Sequence, residues 1–139
     1  MPDSAAQKLN QGRQVFRFDT FGDQDFWGNA LKLHQAIECR KFGGVGPGGS
    51  PNTALAVGLK VDADALPAAL VQELKNGQVD LNDPAVTLAL LKLNSVVGVT
   101  GFFKHDGTLK SIGIRCALCH ALGHCPAQMP RAGVRAGAV

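Results

Sequence analysis

Residues 96–120 read VVGVTGFFKHDGTLKSIGIRCALCH, and this stretch decides the fold. Two segments within it, 96–103 and 108–114, contain the β-branched and aromatic residues that are typical of strands. They flank His-Asp-Gly at positions 105–107, where Asp-Gly accommodates the positive φ angles of a tight hairpin turn. The sequence therefore predicts an antiparallel β-hairpin that leads the chain directly to Cys116.

The hairpin is followed by the pattern CxxCH at residues 116–120, by which haem is attached covalently to a polypeptide. Cys116 and Cys119 lie about one helical turn apart, so both sulfurs can reach the two vinyl groups at one porphyrin edge as thioethers. His120 then comes next to the iron, where its imidazole can serve as an axial ligand. The motif predicts a haem c, with its iron, on a short helix.

The residues at the N-terminus have two different patterns. Residues 1–14 are polar and predict a frayed arm, whereas 15–22 alternate apolar and polar side chains as a short strand or extended arm does. From Asp23 to Ile37 the apolar residues recur at three- and four-residue spacing. This spacing predicts one amphipathic helix with an aspartate near its beginning.

The middle of the chain carries loop and helix-start signals. Residues 43–51 are dense in Gly and Pro and predict a loop that ends in Ser50 and Pro51, an N-cap and first-turn pair for a short helix. Asp64 and Asp83 predict two further helix starts. The helix that follows Asp83 is predicted to be the centre of the core, because it is largely apolar, with Val86, Leu88, Leu90, Leu91 and Leu93.

Length and composition are those of one folded domain. The 139 residues include 45% hydrophobic and 18% charged side chains, which is less charge than an average globular domain carries. The net charge of +3 arises without a basic run, so nucleic acid and anionic membranes are not indicated as partners. No apolar segment approaches the ~20 residues that cross a bilayer, and the N-terminus lacks the apolar region of a signal peptide.

The chain from Gly12 to His120 resembles a bacterial family of exported c-type cytochromes. The segments that carry the resemblance are GRQVFRFDTFGDQDFW, LKLHQAI, GGVGPGGSP, LNSVVGVTGFF and GIRCALCH. The resemblance implies thioethers at Cys116 and Cys119, axial ligation by His120 and a role in electron transfer between redox partner proteins. It also implies a periplasmic or exported protein, whose helices before the hairpin are an N-terminal extension packed on the haem domain. Without an export signal, a genuine start at Met1 would instead place the chain in the cytoplasm.

The pattern of such cytochromes is incomplete after the motif. Several tens of residues usually follow CxxCH and build much of the haem pocket, and nineteen follow it here. Residues 126–139 contain almost only Ala, Gly, Pro, Arg and Val, which predicts a disordered, low-complexity tail. We therefore expect a mainly helical α+β fold in which residues 15–125 form a single but incomplete cytochrome-c-like domain. The composition of the tail suggests a truncated or frameshifted gene product, and a non-functional fragment is one alternative reading.

The second axial ligand is left open by the sequence. Met129 is a candidate, because nine extended residues could span to the far face of a haem, but an exposed tail methionine is the simpler interpretation. His34 shares the predicted helix face with Trp27 and could approach a cofactor, although a hydrogen-bonded helix histidine is the more ordinary interpretation. His105 belongs to the hairpin turn and is expected to be solvated. The isolated Cys39 has no evident catalytic partner.

Zinc is the competing chemistry for the same cysteines. Cys116, Cys119 and His124 have the spacing of the first three ligands of a zinc knuckle, and Cys125 or His120 could supply a fourth. The spacing is imperfect, since a knuckle needs its last cysteine where Met129 stands. A small Cys/His zinc module is therefore kept as an alternative to haem attachment.

Enzyme motifs are not evident. The glycines in residues 44–49 spell GxGxxG, but Pro47 interrupts them and no strand precedes them, so we predict a loop rather than a dinucleotide site. No Ser/His/Asp arrangement or phosphate-binding loop is present, and no specific small-molecule substrate is indicated. The sequence therefore predicts an electron carrier and not an enzyme.

Overall fold

A computed structural model describes residues 4–121 of the chain, and within this part helices and strands are mixed. Helical segments contain 52% of the described residues, and a two-stranded antiparallel sheet is the only sheet among them. The mixed helix and strand composition agrees with an α+β fold. The boundary at residue 125 and the tail 126–139 lie outside the described residues.

The predicted hairpin is confirmed. Strand β1 (Val99–Phe103) pairs with β2 (Leu109–Ile114), with an irregularity in the register between Phe102 and Phe103. In the turn, the Asp106 carboxylate accepts hydrogen bonds from the backbone N–H of Thr108 at 2.9 Å and from its hydroxyl at 2.6 Å. These bonds lower the pKa of Asp106 from its ordinary 3.8. Gly107 has a φ of +86°, the left-handed conformation that Asp-Gly predicts.

The N-terminal segment differs from its prediction. Helix α1 (Ala5–Phe18) runs through both the predicted frayed arm and the first half of the predicted strand at 15–22. Ser4 caps this helix by accepting from the Gln7 N–H at 3.2 Å, while the Gln7 side chain accepts from the Ser4 N–H at 2.6 Å. This reciprocal capping box stabilises a helix start within the polar segment that was predicted to be frayed. Strand-like pairing is limited to an isolated bridge between Thr20 and Arg115.

The single helix predicted from Asp23 to Ile37 is also wrong in the structure. A π-helical turn (Phe26–Ala30) is followed by the separate helix α2 (Leu33–Glu38), and Lys32 between them has a φ of +51°. The cause is contact with β2. The Asp23 carboxylate accepts from Ile114 N–H at 3.0 Å and from the Trp27 indole at 2.7 Å, so it ties this segment to the hairpin instead of capping a regular helix.

The close approach at Gly28 reinforces this tie to the hairpin. A Cβ placed on Gly28 would lie 2.6 Å from the Cβ of Ser111, which is too close for any side chain. The backbone of the π-helical turn therefore rests directly on strand β2. Packing against the strand overrides the helical periodicity of this part of the sequence.

The remaining helices largely follow their predictions. Loop residues 43–50 lead to α3 (Pro51–Ala56), where Ser50 accepts from the Thr53 N–H at 3.2 Å. Helix α5 (Pro84–Lys92) begins at Asp83, whose carboxylate accepts from the Ala85 N–H at 2.9 Å.

Asp64 does not have its predicted capping role. Asp62 instead accepts from the Asp64 N–H at 3.0 Å and caps a short 3₁₀ turn (Ala63–Ala65). Helix α4 (Ala68–Lys75) then starts after Pro67 with no side-chain cap. The helix is present as expected, but the chain makes one extra turn before it begins.

The main core lies between α5 and the hairpin. Leu90 and Leu91 of α5 are 4% and 5% exposed, which confirms the prediction that this helix is central. Leu66 from the segment before α4 and Val96 from the start of the hairpin segment extend this cluster. The buried members of the core are Leu66, Leu90, Leu91, Val96, Val99, Leu109 and Ile112. No helix within residues 4–121 is long and apolar enough to cross a bilayer.

Candidate functional site

The cysteine motif lies on a short helix at the end of the hairpin, as predicted. Helix α6 (Ala117–Ala121) begins just after Cys116 and contains Cys119 and His120. Ala117 is 1% exposed and Ala121 is 8% exposed, and both pack against Val97. Since residues four apart share a helix face, the two alanines form the inward face of this helix.

The three residues of the motif are more exposed than the two alanines of α6. Cys116 is half-buried, whereas Cys119 and His120 are exposed. Cys116 directly precedes α6, so the two thiols and the imidazole lie within five consecutive residues at the end of the hairpin. The structure thus places the three predicted haem-site residues at an accessible position beside the hairpin, and their closeness is that of neighbours in the sequence.

This donor set fits a covalently attached haem. Neither cysteine belongs to the buried apolar clusters, and Cys119 is exposed. An imidazole follows the second cysteine directly, which is the arrangement that axial ligation requires. Cys116 and Cys119 would hold the porphyrin edge, and His120 would hold the iron.

An aromatic residue from α1 is in contact with the motif. The Phe16 ring lies with its centroid 5.4 Å from that of the His120 imidazole, at an interplanar angle of 54°. Phe16 also packs against the cluster of Val97, Ala117 and Ala121. Thus the second half of α1 reaches the motif helix, although residues 4–15 are exposed along their whole length. The sequence patterns gave no indication of this contact.

Gly98 allows the hairpin segment to approach α6 closely. Its φ is +88°, and a Cβ built on it would lie 2.4 Å from Leu118 Cα and 2.6 Å from Leu118 N. These are backbone atoms of the motif helix, so they cannot move aside as a flexible side chain can. Gly98 therefore fixes how near the helix lies to the start of β1.

Arg115, the residue before Cys116, is fully buried and was missed by the sequence analysis. Its Nε donates to Thr100 Oγ1 at 2.6 Å, one Nη donates to the Arg17 carbonyl at 3.3 Å, and the other donates to Asn94 Oδ1. Burial, followed by the nearby charge of Arg17, lowers the pKa of Arg115 to about 10, so it stays protonated at neutral pH. Arg115 anchors the beginning of the motif to β1 and to α1.

Arg17 continues this anchoring to the rest of the fold. Its Nη2 donates to Asp62 Oδ2 at 2.9 Å in a largely buried ion pair. The carbonyl of the same residue accepts from Arg115. The end of α1 is therefore held both to the segment before α4 and to the residue that precedes the cysteine motif.

The other candidate ligands do not join the described part of the motif. His34 lies on α2, and the break at Lys32 removes the helix face that it was predicted to share with Trp27. Its Nδ1 is buried and has no hydrogen-bond partner among residues 4–121, contrary to the expectation of a hydrogen-bonded histidine. His105 is exposed in the hairpin turn, as predicted, and Cys39 is buried between α2 and the turn Arg40–Phe42.

Zinc ligation is not seen as a complete set in this region. Among residues 4–121, no group of three or more His, Cys, Asp or Glu side chains could hold a metal ion. The further predicted zinc ligands, His124 and Cys125, and the predicted distal haem ligand Met129 lie outside the described residues. Among the described residues, haem attachment and zinc binding would therefore both use Cys116, Cys119 and His120.

A cavity of about 490 Å³ lies elsewhere, between α5 and the hairpin turn. Glu38, Lys41, Lys92 and Asp106 contribute its charged lining, and none of its lining residues belongs to the CxxCH motif. Glu38 is 4% exposed, and its carboxylate accepts a hydrogen bond from the Leu109 N–H. This buried carboxylate joins α2 to β2, which is a structural role.

The chain was compared with protein-family models, with curated proteins and with solved structures, and no match was found in any of the three.

Proposed function

We propose that this chain carries a haem c at Cys116, Cys119 and His120 and serves in one-electron transfer. The observation that carries the proposal is the exposure of Cys119 and His120 on α6, with Cys116 half-buried directly before the helix, while Ala117 and Ala121 pack inward. The spacing of the three residues matches the two thioethers and the axial ligand of a covalent haem.

Each residue of the motif has a distinct role in this proposal. The Cys116 and Cys119 thiols add to the two vinyl groups, so that a carbon–sulfur bond forms and the thiol hydrogen passes to the neighbouring vinyl carbon. The His120 imidazole, in its neutral form, donates a nitrogen lone pair to the iron. The bound haem supplies the one-electron change between ferric and ferrous iron.

The residues around the motif hold it against the hairpin and α1. Arg115 ties the residue before Cys116 to Thr100 and to α1, and Gly98 lets the backbone of α6 rest against the hairpin. A site on such supported elements keeps its geometry better than one on a free loop. These contacts are consistent with a centre that changes oxidation state with little rearrangement.

The proposed role has consequences for location and partners. Thioether attachment normally takes place outside the cytoplasm, so we propose a periplasmic or otherwise exported protein. The partners are then redox proteins that deliver and accept single electrons. We propose no nucleic-acid partner, since the net charge of +3 comes without a basic run. We also propose no substrate for this chain.

The test is an absorbance spectrum of the full chain, exported behind a leader peptide in cells that contain the haem-attachment machinery. We expect a Soret band that remains with the protein after acid-acetone extraction. C116A and C119A should each lose one thioether, and the double variant should lose the covalent chromophore. C39A is the matched control, because Cys39 is buried outside the motif and its removal should leave the chromophore intact.

Three results would contradict the proposal. A colourless chain whose Cys116 and Cys119 sulfurs are still open to alkylation would exclude haem attachment. Stoichiometric zinc without a Soret band, lost in the same C116A and C119A variants, would instead support the zinc module. A chain with neither chromophore nor metal would agree with a non-functional fragment.

A further inference from the structure

We infer that Phe16 of α1 is a positioning residue for the His120 imidazole, an inference that rests on the proposed haem function. The two rings are 5.4 Å apart and tilted by 54°. The distance lies in the range of about 4.5 to 7 Å that favourable aromatic pairs have, and the rings are tilted between the stacked and edge-to-face arrangements. The contact joins the N-terminal helix to the predicted axial ligand.

His120 has little else to fix its orientation among the residues described. It is exposed, and α6 is only five residues long. An exposed side chain on a short helix samples several rotamers, and choosing one of them costs conformational entropy. A neighbouring ring that favours one orientation reduces this cost before the iron is bound.

Phe16 is itself held in place, which makes it suited to this role. Its ring packs against Val97, Ala117 and Ala121, the buried cluster beneath α6. The next residue, Arg17, accepts a hydrogen bond from Arg115 through its carbonyl and pairs with Asp62 through its side chain. The backbone beside Phe16 is thus tied to the residue that immediately precedes Cys116.

The position of Phe16 also gives it an effect on the redox equilibrium. Groups around a metal ligand set its orientation and its exposure to water, and both alter the reduction potential. Removing the ring exposes His120 further and favours the more highly charged ferric state. A contact shifts this equilibrium only by the free energy that differs between the two oxidation states, and we expect that difference to be about the size of one aromatic pair, a change of roughly two- to tenfold. This corresponds to a reduction potential lower by about 20 to 60 mV, because tenfold is 59 mV for one electron.

The experiment compares four forms of the full chain: wild type, F16L, F16Y and F21L. F16Y keeps an aromatic ring at the position, and F21L is the matched control because Phe21 is 65% exposed. Covalent haem content and reduction potential are measured by absorbance and potentiometric titration. In the haem-free chain, nuclear Overhauser effects between the rings of Phe16 and His120 test the contact directly, without relying on any variant to fold.

The inference predicts a ring-to-ring Overhauser effect, a potential lowered by about 20 to 60 mV in F16L at unchanged haem content, and near wild-type potentials in F16Y and F21L. Absence of the Overhauser effect, an unchanged potential in F16L or an equal shift in F21L would overturn it. If wild type takes up no covalent haem, the proposed function fails. An Overhauser effect that persists in that chain would then show that the contact is purely structural, which also overturns the positioning role.

Discussion

Substitution of Gly98 by alanine should separate α6 from the hairpin. Gly98 has a φ of +88°, and the added methyl group would lie 2.4 Å from Leu118 Cα and 2.5 Å from Leu118 Cβ. Two costs arise. An L-residue in the left-handed region loses about 1 to 2 kcal/mol, and an extra methyl group in a closely packed site costs about 1 to 3 kcal/mol.

These two costs are separable because the chain contains a matched control. Gly43 has a φ of +93°, and a Cβ built on it meets nothing within 4 Å. G43A should therefore show only the conformational cost of about 1 to 2 kcal/mol. G98A should lower the free energy of unfolding by a total of about 2 to 5 kcal/mol.

The assay is urea unfolding of the haem-free chain, followed by circular dichroism for wild type, G98A and G43A. The decisive quantity is the difference between the two variants, expected to be about 1 to 3 kcal/mol. If G98A and G43A are destabilised equally, the methyl group meets no obstacle. The close approach of α6 to residue 98 would then be refuted.

Two further predictions concern hydrogen bonds in the hairpin. The charge of Asp106, stabilised by its bonds from Thr108, should add stability above pH 3.8, and this contribution should be lost as the pH falls through the lowered pKa of the folded state. The difference in unfolding free energy between wild type and D106A should therefore narrow below pH 3.8. If this difference is the same at every pH, the charge of Asp106 is not the cause of the stabilisation. E38A should leave the buried Leu109 N–H without its acceptor and lower the unfolding free energy by about 1 to 3 kcal/mol. E38Q, which keeps an acceptor oxygen, should lose less, and equal losses in a urea titration would rule out the hydrogen bond as the cause.

The sequence by itself determined those features that depend on neighbouring residues. Asp106 and Gly107 specify the hairpin turn through a side-chain hydrogen bond and a positive φ, and both act within a few residues of themselves. Ser50 and Asp83 likewise cap the helices that follow them directly. The CxxCH motif is equally local, because its spacing alone places three donor groups within five consecutive residues.

Tertiary structure decided the features that depend on contacts between distant segments. The periodicity from Asp23 to Ile37 is helical, but Gly28 must lie against Ser111 and the Asp23 carboxylate bonds to Ile114, so the helix breaks into two pieces. Even α1, which Ser4 caps locally, was not predicted, because its last residues belong to a segment in which apolar and polar side chains alternate. Periodicity describes only which residues share a face, and it does not show what that face meets.

The candidate site divides in the same way. The sequence alone was enough to select Cys116, Cys119 and His120, because their spacing indicates haem attachment. Phe16 and Arg115 could not, since a phenylalanine and an arginine have no distinguishing pattern until folding brings α1 beside α6. The sequence determined which atoms are available to bind, whereas packing between remote segments decided how those atoms are held, because only the folded chain brings such segments into contact.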